Sequence, residues 1–94
     1  MESVAHVATE RPARYLKQLC QHMGRKIQAD FTEDHGKMVF PYGECELDAR
    51  DGELVLRASA PDEDSLAKVE AVVGHHHLER FGERDGLVVT WQRV

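Results

Sequence analysis

The sequence predicts an α+β fold in two layers, a mostly antiparallel sheet with two helices on one face, in the order β-α-β-β-β-β-α-β. Three observations carry this expectation. From Ala13 to Ile27 the apolar residues recur at helical spacing. From Glu44 to Ala60 apolar and polar residues alternate, with Asp51-Gly52 between the two runs, the pattern of an antiparallel hairpin with one wet face. Pro61-Asp62 then opens a second helical stretch. A chain of 94 residues has room for one two-layer core, so residues 1–94 are expected to form a single domain.

Taken in order, Ser3 to Thr9 alternates weakly and reads as a short strand. Thr9 is placed to cap a helix that tolerates Pro12 in its first turn. That helix runs to about Ile27, with Ala13, Leu16, Leu19, Cys20, Met23 and Ile27 on one face. Arg11, Arg14, Lys17, Gln18, Gln21 and Arg25 share the opposite face. Gln28 to Glu33 carries Ala29 and Phe31 at period two, Asp34-His35-Gly36 turns the chain, and Lys37 to Phe40 is extended. Pro41-Tyr42-Gly43 breaks it again. Cys45, Leu47 and Ala49 point inward from one strand, and Leu54, Leu56 and Ala58 from the next. Asp62 caps the second helix, with Glu63 and Asp64 suited to its positive end. Its inner stripe is Leu66, Val69, Val73 and His76. Gly82 and Asp85-Gly86 end it, and Leu87 to Arg93 forms the last strand, with Leu87, Val89 and Trp91 on one face.

Composition narrows the class. An apolar fraction of 41% and a charged fraction of 31% are those of a soluble globular protein. A formal charge of −5 argues against nucleic acid as a partner. No apolar run approaches the roughly 18 residues of a membrane span, and Met1 to Arg14 contains no apolar stretch of the kind a secretory signal needs. Cys20 and Cys45 are too few for a disulfide scaffold, so a reducing cytoplasm is the expected setting. Charge is unevenly spread: between Glu10 and Ile27 there are five Lys or Arg against one Glu, about +4 in a chain whose total is −5. Such a face can attract an anionic ligand or dock on an acidic partner.

The most unusual stretch is Gly74-His75-His76-His77. Successive residues on an α-helix diverge by about 100°, so three adjacent rings cannot grip one ion. His75 is expected in water, at chelate spacing from Glu79 but without a third ligand. His76 falls between Val69 and Val73 near the core, and His77 at the stripe's other edge. Tyr15 and His22 share one flank of the first helix, while His77, Arg80 and Phe81 crowd the end of the second. If the helices lie side by side, these residues and Trp91 can meet at one edge, giving a ligand pocket of Tyr15, His22, His77, Arg80 and Trp91 suited to an anionic or aromatic molecule. Cys20 lies on the apolar face, angularly far from His22, so it is not expected to act as a nucleophile. No phosphate loop, G-x-S-x-G or H-E-x-x-H pattern is present, and no catalytic residue or cofactor is expected.

Arg14-Tyr15-Leu16-Lys17-Gln18-Leu19-Cys20-Gln21-His22, followed by a hairpin region and then His77-Leu78-Glu79-Arg80-Phe81 and Trp91, resembles a family of small bacterial domains of unknown function. Its motifs read roughly R-Y-L-K-Q-L-C-K-H and H-L-x-R-F, and the similarity spans nearly the whole chain. The family's pattern has a further aromatic after Arg80-Phe81, where this chain has Gly82-Glu83-Arg84. The resemblance implies domains that occur alone or attached to siderophore-interacting flavoprotein reductases. It therefore implies an iron-siderophore ligand or a flavoprotein reductase as partner, in a binding or accessory domain. From another class stands an interaction module, or a homodimer, that uses the basic face of the first helix and takes no small molecule.

Overall fold

A computed structural model describes all of residues 1–94. Six strands form one antiparallel sheet: β1 (Glu2–Ala8), β2 (Gln28–Phe31), β3 (His35–Phe40), β4 (Gly43–Arg50), β5 (Glu53–Ser59) and β6 (Trp91–Arg93). Their order across the sheet is β2-β3-β4-β5-β1-β6. The meander from β2 to β5 follows from short turns; Gly52, at φ 76°, takes the left-handed turn position that β4–β5 requires. β1 enters the sheet between β5 and β6, pairing Val7 with Leu54 on one side and Ala5 with Trp91 on the other. The α+β architecture, its element order and the two-layer arrangement are those the sequence predicts.

The pleat divides the sheet into two surfaces. Ala5, Val7, Met38, Cys45, Leu47, Leu54, Leu56 and Ala58 face the helices and are almost fully buried. The opposite surface is wet, and opposite charges meet across its strands: His35 with Asp48 at 2.8 Å and Lys37 with Glu44 at 3.5 Å.

Helix α1 (Pro12–Met23) begins with Pro12 at its first position, where a missing N–H costs nothing. Thr9 does not serve as its N-cap residue: its hydroxyl instead accepts the backbone N–H of Arg11, tightening the turn before the helix. The helix stops at Met23, four residues earlier than predicted, because Gly24 and a turn follow. Leu16, Leu19, Cys20 and Met23 are buried as expected, but Ala13 is exposed and Tyr15 takes the inner position. At the other end of the meander, Phe31 remains 38% exposed because β2 is the sheet edge.

Helix α2 (Glu63–Glu70) is capped by Asp62, which accepts the N–H of Ser65 at 2.8 Å. Leu66 and Val69 pack on the sheet. The helix then widens into a π-helical segment, Ala71–Leu78, before a closing turn α3 (Glu79–Phe81). The sequence supplies the cause. After Val73 an α-helix would place residue 76 or 77 inward, and both are histidines; the next apolar side chain is Leu78, five residues on. The π register brings Leu78 into line behind Val73, and both are fully buried. His76 is consequently exposed, not part of the inner stripe. Beyond a short 3₁₀ turn at Glu83–Asp85, Leu87 enters the core but regular pairing resumes only at Trp91, so the last strand is shorter than predicted. No helix is long and apolar enough to cross a membrane.

Candidate functional site

Helix α1 and the π-helical segment lie against each other, and each contributes an imidazole to their junction. His22 closes the C-terminal turn of α1 and is exposed; His77 is half-buried. Their ring centroids are 5.2 Å apart with planes tilted by 51°. Phe81 completes the cluster, edge-on to His22 at 5.3 Å and to His77 at 6.1 Å. The π register fixes His77, whose Nδ1 lies 2.6 Å from the carbonyl of Val72, five residues back. A carbonyl oxygen only accepts, so Nδ1 carries the proton and Nε2 is left as the free nitrogen. His22 is held below the usual histidine range, first by partial desolvation and then by His77, Arg25 and Lys26 beside it.

Outside this cluster lies an open hollow of about 370 Å³. Arg14, Lys17 and Arg25 give it positive charge, Gln18 and Gln21 supply amides, and the rings of His22 and Phe81 bound it. It is the basic face of α1 seen from the sequence, made concave by the approach of Phe81. None of Arg11, Arg14, Lys17, Arg25 and Lys26 has a carboxylate within ion-pair distance; the ion pairs of this chain lie on the sheet, at the α2–β6 junction and between His75 and Glu79. The field of these cations is therefore uncancelled locally and directed at solvent.

The other residues of the predicted pocket lie apart from the hollow. Tyr15 is 6% exposed, and its hydroxyl donates to Asp85 at 2.5 Å, tying α1 to the turn after α3. That hydrogen bond, with burial adding to it, holds the phenol above its ordinary range. Trp91 packs beneath Gly74: a Cβ there would meet the indole Nε1 at 3.0 Å and Val89 Cγ1 at 2.9 Å. The indole lines a separate groove with Glu70, His75 and Glu79. Arg80 is exposed on α3. Sequence reasoning missed Asp85, since an Asp-Gly pair reads as a turn and nothing in it announces a tyrosine 70 residues away.

His75 bonds Glu79 at 3.1 Å, as their spacing suggests, and Glu79 in turn accepts the backbone N–H of Val89 at 2.9 Å. Cys20 and Cys45 are free and buried. Burial pushes the Cys20 thiol up to about 11 and that of Cys45 higher still, so neither is prepared as a nucleophile. No three His, Cys, Asp or Glu side chains converge into a metal-holding group.

These features define a small two-layer α+β domain carrying a paired-imidazole cluster beside a cationic hollow. Residues 4–92 match the family described as "Uncharacterized protein conserved in bacteria (DUF2218)", and the chain belongs to that family. It is similar in structure to the protein PA4090 from Pseudomonas aeruginosa, solved by NMR, with a TM-score of 0.80 and 38% identity. That likeness covers 97% of this chain and 94% of the other. No curated protein matches the chain.

Proposed function

We propose that this domain binds an anionic, iron-linked small molecule, a ferric siderophore or the iron released from one, at the junction of α1 and the π-helical segment. The observation that carries this reading is the meeting of His22 with His77 at 5.2 Å, beside a hollow bounded by His22 and Phe81 whose three cations have no acidic partner. Siderophore iron chelates built on catecholates are anions with aromatic faces. Arg14, Lys17 and Arg25 would supply charge and directed donors, and Phe81 with the imidazoles an aromatic edge. The motif resemblance to domains joined to siderophore-interacting reductases points the same way. Within this reading Arg80 is a further cation on the approach to the site. Tyr15 acts through Asp85 by fixing α1 against the turn after α3. Trp91 acts by supporting the π segment under Gly74.

The test uses a gallium(III) tris-catecholate, a diamagnetic match in charge and shape for the ferric complex, and the amide NMR spectrum of the full chain. Shifts should concentrate on residues 14–25 and 75–82 and shrink as salt rises through the range where the screening length falls below about 10 Å. An unchanged spectrum at millimolar chelate would remove the reading.

The unpaired cations of α1 also favour a second reading, in which this face docks on an acidic protein surface such as that of a flavoprotein reductase, or on a second copy. It predicts a salt-weakened change of size on gel filtration with the reductase, or with rising concentration of the chain alone. Gel filtration showing no such change would exclude it.

A further inference from the structure

The reading above uses the two imidazoles only as walls, but their geometry supports more. His77 is anchored through Nδ1–H to the Val72 carbonyl. An imidazole with one nitrogen committed to a backbone acceptor has its tautomer and direction fixed, which is how metal-ligating histidines are held. The second ring stands at a telling distance. Two imidazoles sharing one tetrahedral ion, each with a metal–nitrogen distance of about 2 Å, place their ring centroids roughly 5 Å apart. The His22 and His77 centroids are separated by 5.2 Å and their planes are tilted, a spacing compatible with one ion held between the rings. The exposed His75–His76 pair has a similar spacing, 5.6 Å, but there no ring nitrogen is anchored to the backbone.

We propose that His22 and His77 form a two-nitrogen site for a borderline divalent first-row cation, of the iron(II) and zinc(II) class, with its remaining coordination positions open toward the cationic hollow. The inference deepens the function proposed above by naming what the imidazoles contact, and it rests on that reading for the source of the ion but not for the geometry. Imidazole suits divalent iron, cobalt, nickel, copper and zinc, whereas harder ions prefer oxygen donors. The titratable and charged groups beside His22 are His77, Arg25 and Lys26. The same cations repel a bare ion. Because no third protein donor converges here, the open positions are expected to take an anionic co-ligand, such as a catecholate or carboxylate, held by Arg14 and Arg25. His75 and His76 are exposed, and His75 bonds Glu79, so they stand outside the site.

The test is a titration of the full chain with cobalt(II), whose visible absorption reports nitrogen coordination, with and without one equivalent of catechol. Expected are new absorption bands, stronger binding with catechol and, with diamagnetic zinc(II) in place of cobalt(II), a larger nitrogen-15 shift at His77 Nε2 than at Nδ1. His22→Ala and His77→Gln should each weaken binding by about tenfold or more, since even an outer-shell partner is worth roughly 10–100-fold. A double variant, His75→Ala with His76→Ala, should bind as the parent does. Absence of bands at millimolar cobalt(II), binding unchanged in either single variant, or binding lost in the double variant would each overturn the proposal. Cobalt binding without any gallium-chelate response would keep this site and remove the broader reading; the reverse pattern would remove this site alone.

Discussion

Replacing Gly82 by Ala tests how the end of the second helical segment is locked. Gly82 sits at φ −98°, ψ 19°, a conformation open to other residues, so an added methyl costs little in the backbone. The cost falls on Leu87. A Cβ on residue 82 would lie 2.2 Å from Leu87 Cδ1 and 2.3 Å from its Cγ, distances at which the leucine must leave its seat. Leu87 is 7% exposed and belongs to the core. Expelling it removes roughly 2 kcal/mol of burial. The hydrogen bond from Leu87 N–H to the Gly82 carbonyl, 3.1 Å, is put at risk for about 1 kcal/mol more. The total, about 3 kcal/mol, corresponds to a fall in Tm of roughly 15 °C for a domain of this size. Urea unfolding followed by circular dichroism measures it. Leu87→Ala alone should cost about 2–3 kcal/mol, and the double variant should fall short of the sum by at least about 1 kcal/mol, because both changes empty the same seat. A Gly82→Ala variant within about 0.5 kcal/mol of the parent, or strict additivity, would refute the steric argument.

Other outcomes follow from single contacts. Tyr15→Phe should lower stability by about 1–2 kcal/mol, and adding Asp85→Asn should cost little more, because the pair shares one hydrogen bond; additive losses in urea unfolding would contradict this. Glu79 is depressed, chiefly by the Val89 N–H and then by His75. Its contribution is therefore fully present above the ordinary carboxylate value of about 4.3 and is lost as pH falls through the lower folded value. Glu79→Gln should flatten that acid limb of the stability curve, and an unchanged slope would count against the assignment. His35 is raised, first by its hydrogen bond to Asp48, so its contribution is present below about 6.5 and fades as pH rises through the higher folded value. His35→Gln should remove a small slope in that window, small because the pair is exposed; a slope that survives the substitution would show that His35 is not its source.

The parts of the fold that obey simple periodicity were readable. Alternation in Glu44–Ala49 and Glu53–Ala60 placed every inward residue of β4 and β5 on the correct surface, and Asp62 announced the cap of α2. What escaped was decided by tertiary packing. Strand order depends on β1 pairing with β5, a contact across about fifty residues that leaves no local trace. A pitch of 100° per residue misplaces the histidine run, because the pull of Leu78 toward the core widens the turn there. That change of pitch moved His76 to the surface and gave His77 its bond to Val72. For the site, the basic face of α1 was legible from spacing, whereas the meeting of His22, His77 and Phe81, and the absence of Tyr15 and Arg80 from it, depend on how the two helical segments pack. The separation of Trp91 from them was not legible either, because it depends on the strand passing under Gly74.

The insertion of β1 between β5 and β6 has a kinetic consequence. The chain's first strand can find neither neighbour until residues 53–59 and 91–93 are available. On the ribosome, the inward-facing Ala5 and Val7 therefore wait unpaired while the β2–β5 meander and α1 are still being made. Closing that long loop is the slow, high-contact-order event of folding. Substitutions at Ala5 or Val7 should consequently reveal themselves as much in refolding rate and in aggregation during synthesis as in the stability of the finished domain.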